Sequence, residues 1–244
     1  MKKILSSIAI LAAISSTSAY AKCSDLPSQA VLTTALKTAI VDSKTVNGGF
    51  GLNMWATIVD RDGIVCAVAM TGADRGPQCT GSRVISAQKA NTANAFSLPE
   101  LPLSTANLYA ATQPGGSLYG LQASNPVDTA VAYAGTTANF GTAKDPLVGK
   151  KIGGINVFGG GLALYNANKN LLGAIGVSGD SSCADHNIAW GTRKTLNLDH
   201  TTPGVGPNGT DGIVYATGTT ITGWQHPLCS DAAKAASVKL GAGG

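Results

Sequence analysis

The sequence predicts an α+β fold, an antiparallel sheet of about five strands flanked by helices. Three observations carry this. Two stretches read as β-hairpins, 54–59 with 64–70 and 162–165 with 171–177, and hairpins make antiparallel pairs. Three other stretches show one-faced helical spacing of apolar or small residues. The order is helix, hairpin, helix, long loop, hairpin, helix, with no internal repeat of fixed period.

In chain order, "LPSQAVLTTALKTAIVDSK" places Leu32, Leu36 and Ile40 on one helical face beside Ala35 and Ala39. Pro27 stands near its start and Asn47-Gly48-Gly49 beyond its end. In "MWATIVDRDGIVCAVAM" the dipeptide Asp62-Gly63 turns the first hairpin. The helix expected over Ser82–Phe96 shows Ile85, Ala90, Ala93 and Phe96, and such small residues let a helix lie close against a sheet. Pro99 and Pro102 end it. A short helix is expected around Thr105–Ala111, then a turn at "QPGGSLYGL". The stretch 125–154 has Pro, Gly and Thr but weak periodicity, which reads as an insertion of about 123–154. The second hairpin turns at Asn166–Asn170. In "SSCADHNIAWGTRKTL" Ser181 or Ser182 caps a third helix, with Ile188 on its buried side. The tail 197–244 is turn-rich, with one strand expected at Gly212–Thr217.

The N-terminus, "MKKILSSIAILAAISSTSAYAK", has two lysines, a short apolar run and Ala19-Tyr20-Ala21. That reads as a secretory signal peptide cleaved after Ala21, with a run too short to span a bilayer. The expected location is periplasmic or secreted. The remaining 223 residues suit one large domain, 22–196, with a C-terminal extension. They carry 15 basic and 13 acidic residues with no long basic run, so there is no electrostatic footprint for nucleic acid. Cys23, Cys66, Cys79, Cys183 and Cys229 should largely pair in an oxidising compartment, leaving one thiol over. Cys183–Cys229 is the expected bridge; it would pin the tail to the third helix and be worth roughly 3–4 kcal/mol. Which two of Cys23, Cys66 and Cys79 pair stays open. No C-x-x-C spacing points to a zinc ribbon or thioredoxin-like site.

The stretch "LLGAIGVSGD" tests nucleotide binding and fails it: Gly173, Gly176 and Gly179 are spaced three apart, not as G-x-G-x-x-G, and no G-K-[ST] exists. Glycines in a strand instead mark close approach by another element. Ser178 in G-V-S-G resembles a nucleophile elbow, but its second glycine comes one residue early. No catalytic residue is assigned. The three imidazoles, His186, His200 and His226, are the candidate haem ligands, since an imidazole can hold haem iron from a loop or a helix. None is paired at i, i+4, and each also has a plain structural reading: His186 as a capping group beside Asp185, His226 as packing between Trp224 and Pro227.

Together "VDRDGIVCAVAMTGADR", "SAQKANTANAFS", "PGGSLYG" and "LLGAIGVSGDSSCADHNIAW" resemble the GlcG/HbpS-like haem-binding family, in order, over roughly residues 30–194. The resemblance is to an exported branch with an insertion and a tail ending "GWQHPLC". It implies a profilin-like sandwich, homo-oligomers often built on dimers, and haem or a related tetrapyrrole as ligand in some members. Other members accompany glycolate or diol metabolism. No axial ligand of the family maps onto a shared motif here. The family's K-A-x-T-A motif falls on Lys89–Ala93, making Lys89 the cation for a propionate or another carboxylate.

The leading expectation is therefore an exported haem-binding protein without turnover. The alternatives are a small-carboxylate or metabolite-binding accessory protein, with Lys89, Arg75 and Arg83 lining its site and Thr92 beside them, and a structural oligomer without ligand. Ser178 and Asp180, at the N-terminus of the third helix, mark a further candidate edge for a polar ligand.

Overall fold

The computed structural model describes residues 21–41 and 43–244; the expected signal peptide, apart from Ala21, lies outside them. Chain order is α1 (Gln29–Ala39), α2 (Ser43–Val46), β1 (Trp55–Asp60), β2 (Val65–Met70), α3 (Ser82–Phe96), α4 (Tyr109–Thr112), α5 (Leu121–Ser124), α6 (Thr129–Ala132), β3 (Gly161–Tyr165), β4 (Leu171–Ser178), α7 (Ser182–Thr195), β5 (Val214–Tyr215), β6 (Gln225–His226) and α8 (Asp231–Leu240).

Four strands form an antiparallel sheet in the order β2-β1-β4-β3. Side chains alternate between its two faces, and both faces are covered. Ala56, Ile58, Leu162, Leu164, Ile175 and Val177 pack with Leu32 and Leu36 of α1 and Ile188 of α7. Trp55, Val59, Val68 and Ala174 pack with Val84, Ala87, Ala90 and Ala93 of α3. The result is three layers, α3 on one side and α1 with α7 on the other. Gly176 shows why α3 is built of small residues. A Cβ there would lie 1.9 Å from the Ser86 carbonyl oxygen and 2.4 Å from the Ala90 nitrogen, so the helix backbone rests on the strand.

The sheet has four strands where about five were expected. Val214–Tyr215 does fall in the tail segment read as a strand, but it pairs in parallel with β6 in a separate ribbon. The edges of the sheet are already occupied. On β3, Gly161 N–H donates to Thr105 Oγ1 (2.9 Å) and Tyr165 N–H to the Leu198 carbonyl (2.9 Å). On β2, Val65 N–H donates to the Lys150 carbonyl, and the Val65 carbonyl accepts from Gly149 N–H. Such covering removes the unpaired ladder groups that invite edge-to-edge association.

The segment expected as an insertion folds over the α3 face. Ala132, Leu147 and Ile152 join that core. Asp145, fully enclosed, receives Arg83 Nε at 2.9 Å, and Phe140 lies 3.7 Å from the same guanidinium. The tail packs α8 on α7, closes on itself through Ile213 N–H to the Ala242 carbonyl (2.8 Å), and is held to the domain by Asn107 Nδ2–H donating to the Gly212 carbonyl (3.0 Å). Disulfides join Cys23 to Cys66 and Cys183 to Cys229; Cys79 is free and exposed.

Candidate functional site

A groove of about 450 Å³ opens between the turn Gln113–Ser117 and the tail loop Thr220–Gly223, with Ala110 and Ala111 of α4 between them. The Gly-Gly turn has a steric reason. Leu118 N–H donates to the Ala111 carbonyl at 2.8 Å, and a Cβ on Gly116 would lie 2.3 Å from that same oxygen. The chain preceding the turn is a 3-10 segment, Thr105–Leu108, capped by Ser104 and running into α4.

Behind α4, the Tyr109 ring packs on His226 (centroids 5.1 Å apart) and on Phe158 (6.1 Å). His226 is 1% exposed. Its Nδ1–H donates to the Pro227 carbonyl at 2.8 Å, and Nε2 faces Gly159 N–H at 3.4 Å. Burial pushes its pKa down to about 4, so the ring is neutral at physiological pH and Nε2 keeps its lone pair. His226 does not line the groove; the Tyr109 ring packs against it.

The other two imidazoles lie elsewhere. His186, in the first half of α7, is completely buried; Nε2 bonds the Ala242 carbonyl at 3.1 Å and Nδ1 has no partner among the described residues. Burial holds its pKa at about 3. Its role is to tie α7 to the tail, not to cap a helix. His200 is partly exposed and bonds Asn197 Oδ1 at 3.1 Å.

The carboxylate site expected from Lys89, Arg75 and Arg83 is not assembled. Lys89 Nζ donates to Asp185 Oδ2 at 2.7 Å and to the Val177 carbonyl at 3.1 Å, with both side chains buried. Arg83 is spent on Asp145 and the Ala132 carbonyl. Arg75 is exposed. A carboxylate ligand would have to break a buried ion pair, leaving one charge unmatched in a medium where that is strongly unfavourable. Thr92 Oγ1 donates to the Gln88 carbonyl and accepts Asn156 N–H at 3.0 Å, so it fastens the strand entry to α3.

Asp180 also has a structural occupation. Its carboxylate accepts N–H groups from Phe50, Gly51 and Leu52 at 2.9 to 3.2 Å and from Ser181 at 2.6 Å, gathering the loop before β1 around the end of β4. Ser178 ends β4, 4% exposed, opposite Trp55. Ser181 is the α7 cap, its Oγ accepting Ala184 N–H at 3.4 Å. Sequence reasoning missed Tyr109, Phe158 and the 220–223 loop. Only the Gly-Gly turn was visible, and what it faces across the groove lies about a hundred residues on.

Among solved structures, a PduOC–haem complex is 22% identical, covering 70% of this chain and 96% of its own, with a TM-score of 0.46. The ORFY protein of Klebsiella pneumoniae is 22% identical over 70% of this chain and 90% of its own, TM-score 0.45. HbpS is 16% identical over 78% and 99%, TM-score 0.42. No curated protein sequence matches. The family model described as haem degrading protein HbpS-like matches residues 30–192, from α1 through α7, and the chain belongs to that HbpS-like family.

Proposed function

We propose that this chain is an exported haem-binding protein that holds its ligand without turning it over. The family match over residues 30–192 carries the haem assignment. The donor chemistry is compatible with it. Haem needs a neutral imidazole or an equivalent axial donor and an apolar, aromatic wall. His226, Tyr109 and Phe158 form such a set behind α4, whose Ala110 and Ala111 line a groove of the size small-molecule sites have. With Nδ1–H kept on the Pro227 carbonyl, His226 has the outer hydrogen bond that metal-bound imidazoles use. Its Nε2 would exchange the long Gly159 contact for iron. Export is supported by the signal-like N-terminus and by two disulfides. The absence of turnover is supported by how the polar groups are used: Lys89, Asp185, Arg83 and Asp180 are each committed to the fold.

Hemin titrated into the mature protein should give a saturable, shifted Soret band. His226→Ala should change that spectrum more than the same change at His186 or His200. An unshifted band at micromolar protein removes the haem reading. An unchanged spectrum in His226→Ala removes His226 as ligand. Under ascorbate and oxygen the loaded protein should keep its Soret band; bleaching with release of iron would show turnover instead.

A further inference from the structure

The disulfide Cys183–Cys229 lies against His226. The two sulfurs and a ring nitrogen of His226 all fall within 4.8 Å of one another. We propose that this trio is a dithiol-gated metal site: reduction of the bridge creates a Cys₂His set that takes one borderline-soft divalent ion such as zinc or cobalt.

The chemistry is set by three features. First, Cys229 is exposed while Cys183 and His226 are buried, so a reductant has access to one sulfur only. A dithiol thiolate attacks Cys229 Sγ and the electron pair of the broken S–S bond leaves on Cys183. The second thiol then closes on the first and releases Cys229; the dithiol is oxidised, the bridge reduced. Second, donors for the released sulfur are already in place. Cys183 N–H points to Cys229 Sγ at 3.2 Å and Ser182 Oγ lies 3.4 Å away, both at the N-terminus of α7. Third, the ligands need little travel. Two thiolates at about 2.3 Å from a tetrahedral zinc stand roughly 3.8 Å apart, and the imidazole is already within reach. Three protein ligands leave one coordination position open.

A second trio, Cys23, Asp60 and Cys66, meets the same distance criterion. Its carboxylate is divided: Asp60 Oδ1 accepts N–H groups from Asp62 and Ile64 at 3.0 Å each, holding the β1–β2 turn, while Oδ2 faces Cys23 Sγ at 3.7 Å. That makes it a control for the first.

This proposal does not rest on the haem reading, and its test uses metal alone. Cobalt(II) is titrated, without haem, into Cys79→Ser protein before and after reduction by a dithiol that is then removed. The expected result is one cobalt per chain, with sulfur-to-cobalt charge-transfer absorption, after reduction only. It should vanish in Cys183→Ser/Cys229→Ser, weaken at least about tenfold in His226→Gln, and persist in Cys23→Ser/Cys66→Ser. Any of four results overturns it: no binding by the reduced protein, binding that survives Cys183→Ser/Cys229→Ser, indifference to His226→Gln, or loss of near-UV circular dichroism on reduction before metal is added.

Discussion

Three cations, Arg83, Lys89 and Arg193, are among the largest fully buried side chains, and each has one carboxylate: Asp145, Asp185 and Asp211. A buried pair adds little over an apolar one, but removing one member exposes the full desolvation penalty of the other. Lys89 illustrates this. Burial raises Asp185 to about 6 even with Lys89 2.7 Å away, so without the cation the carboxylate is held in an apolar site. Lys89→Met should lose about 3–5 kcal/mol at pH 7 by urea denaturation. Adding Asp185→Asn, which still accepts Asp180 N–H, should restore most of it. Equal midpoints for the single and double variants would show that the pair is not coupled. A charged residue in a sequence gives no sign of such burial. Lys89 and Asp185 stand 96 positions apart, and the Lys89 motif reads as a ligand-binding cation until its partner is in view.

At the scale of elements, the legible parts are those fixed by local chemistry. Asp62-Gly63 and Asn166–Asn170 mark the hairpin turns, and the four hairpin strands come within one residue of their expected bounds. The helix at Ser82–Phe96 and its small face are likewise local properties. The segment 125–154 is not legible, because its order comes from a distant anchor, Asp145 on Arg83, rather than from any period of its own. Of the two-residue strands, β5 lies inside the stretch expected as a strand, whereas β6 is too short to leave a period-2 signal. The α3–β4 contact is both legible and decisive. Because the Ser86 carbonyl and Ala90 nitrogen occupy the space a side chain at Gly176 would need, Gly176→Ala forces the helix off the sheet. The variant should lose 1–3 kcal/mol or more, read as a lowered thermal midpoint with the β-sheet signal retained until unfolding. Gly81, with open space around it, is the matched control and should tolerate Ala within about 0.5 kcal/mol.

Across the whole molecule, the tail is held through buried neutral imidazoles, and this makes folding sensitive to acid. His186 meets the Ala242 carbonyl next to the tail's last strand-like bridge, and His226 sits in the β5–β6 ribbon. Both have folded pKa values depressed by burial, to about 3 and about 4, from an ordinary 6.5. Between pH 6.5 and 4 the unfolded chain binds protons at these two sites and the folded chain does not. Stability from each is complete above 6.5 and falls by roughly 1.4 kcal/mol per pH unit as acid is added. Asp185 works against them. Its folded pKa of about 6 exceeds 3.8, so between those values the folded chain binds a proton that the unfolded one lacks, and acid stabilises through it. Two groups against one leave a net loss of roughly 1.4 kcal/mol per unit from pH 6 to 4. Thermal midpoints should therefore decline over that window. His226→Gln, with one destabilising proton removed, should flatten the decline to near zero while lowering the midpoint at pH 7. A variant profile as steep as the parent's would mean that His226 is already protonated in the fold, and that the tail is not held by a neutral ring.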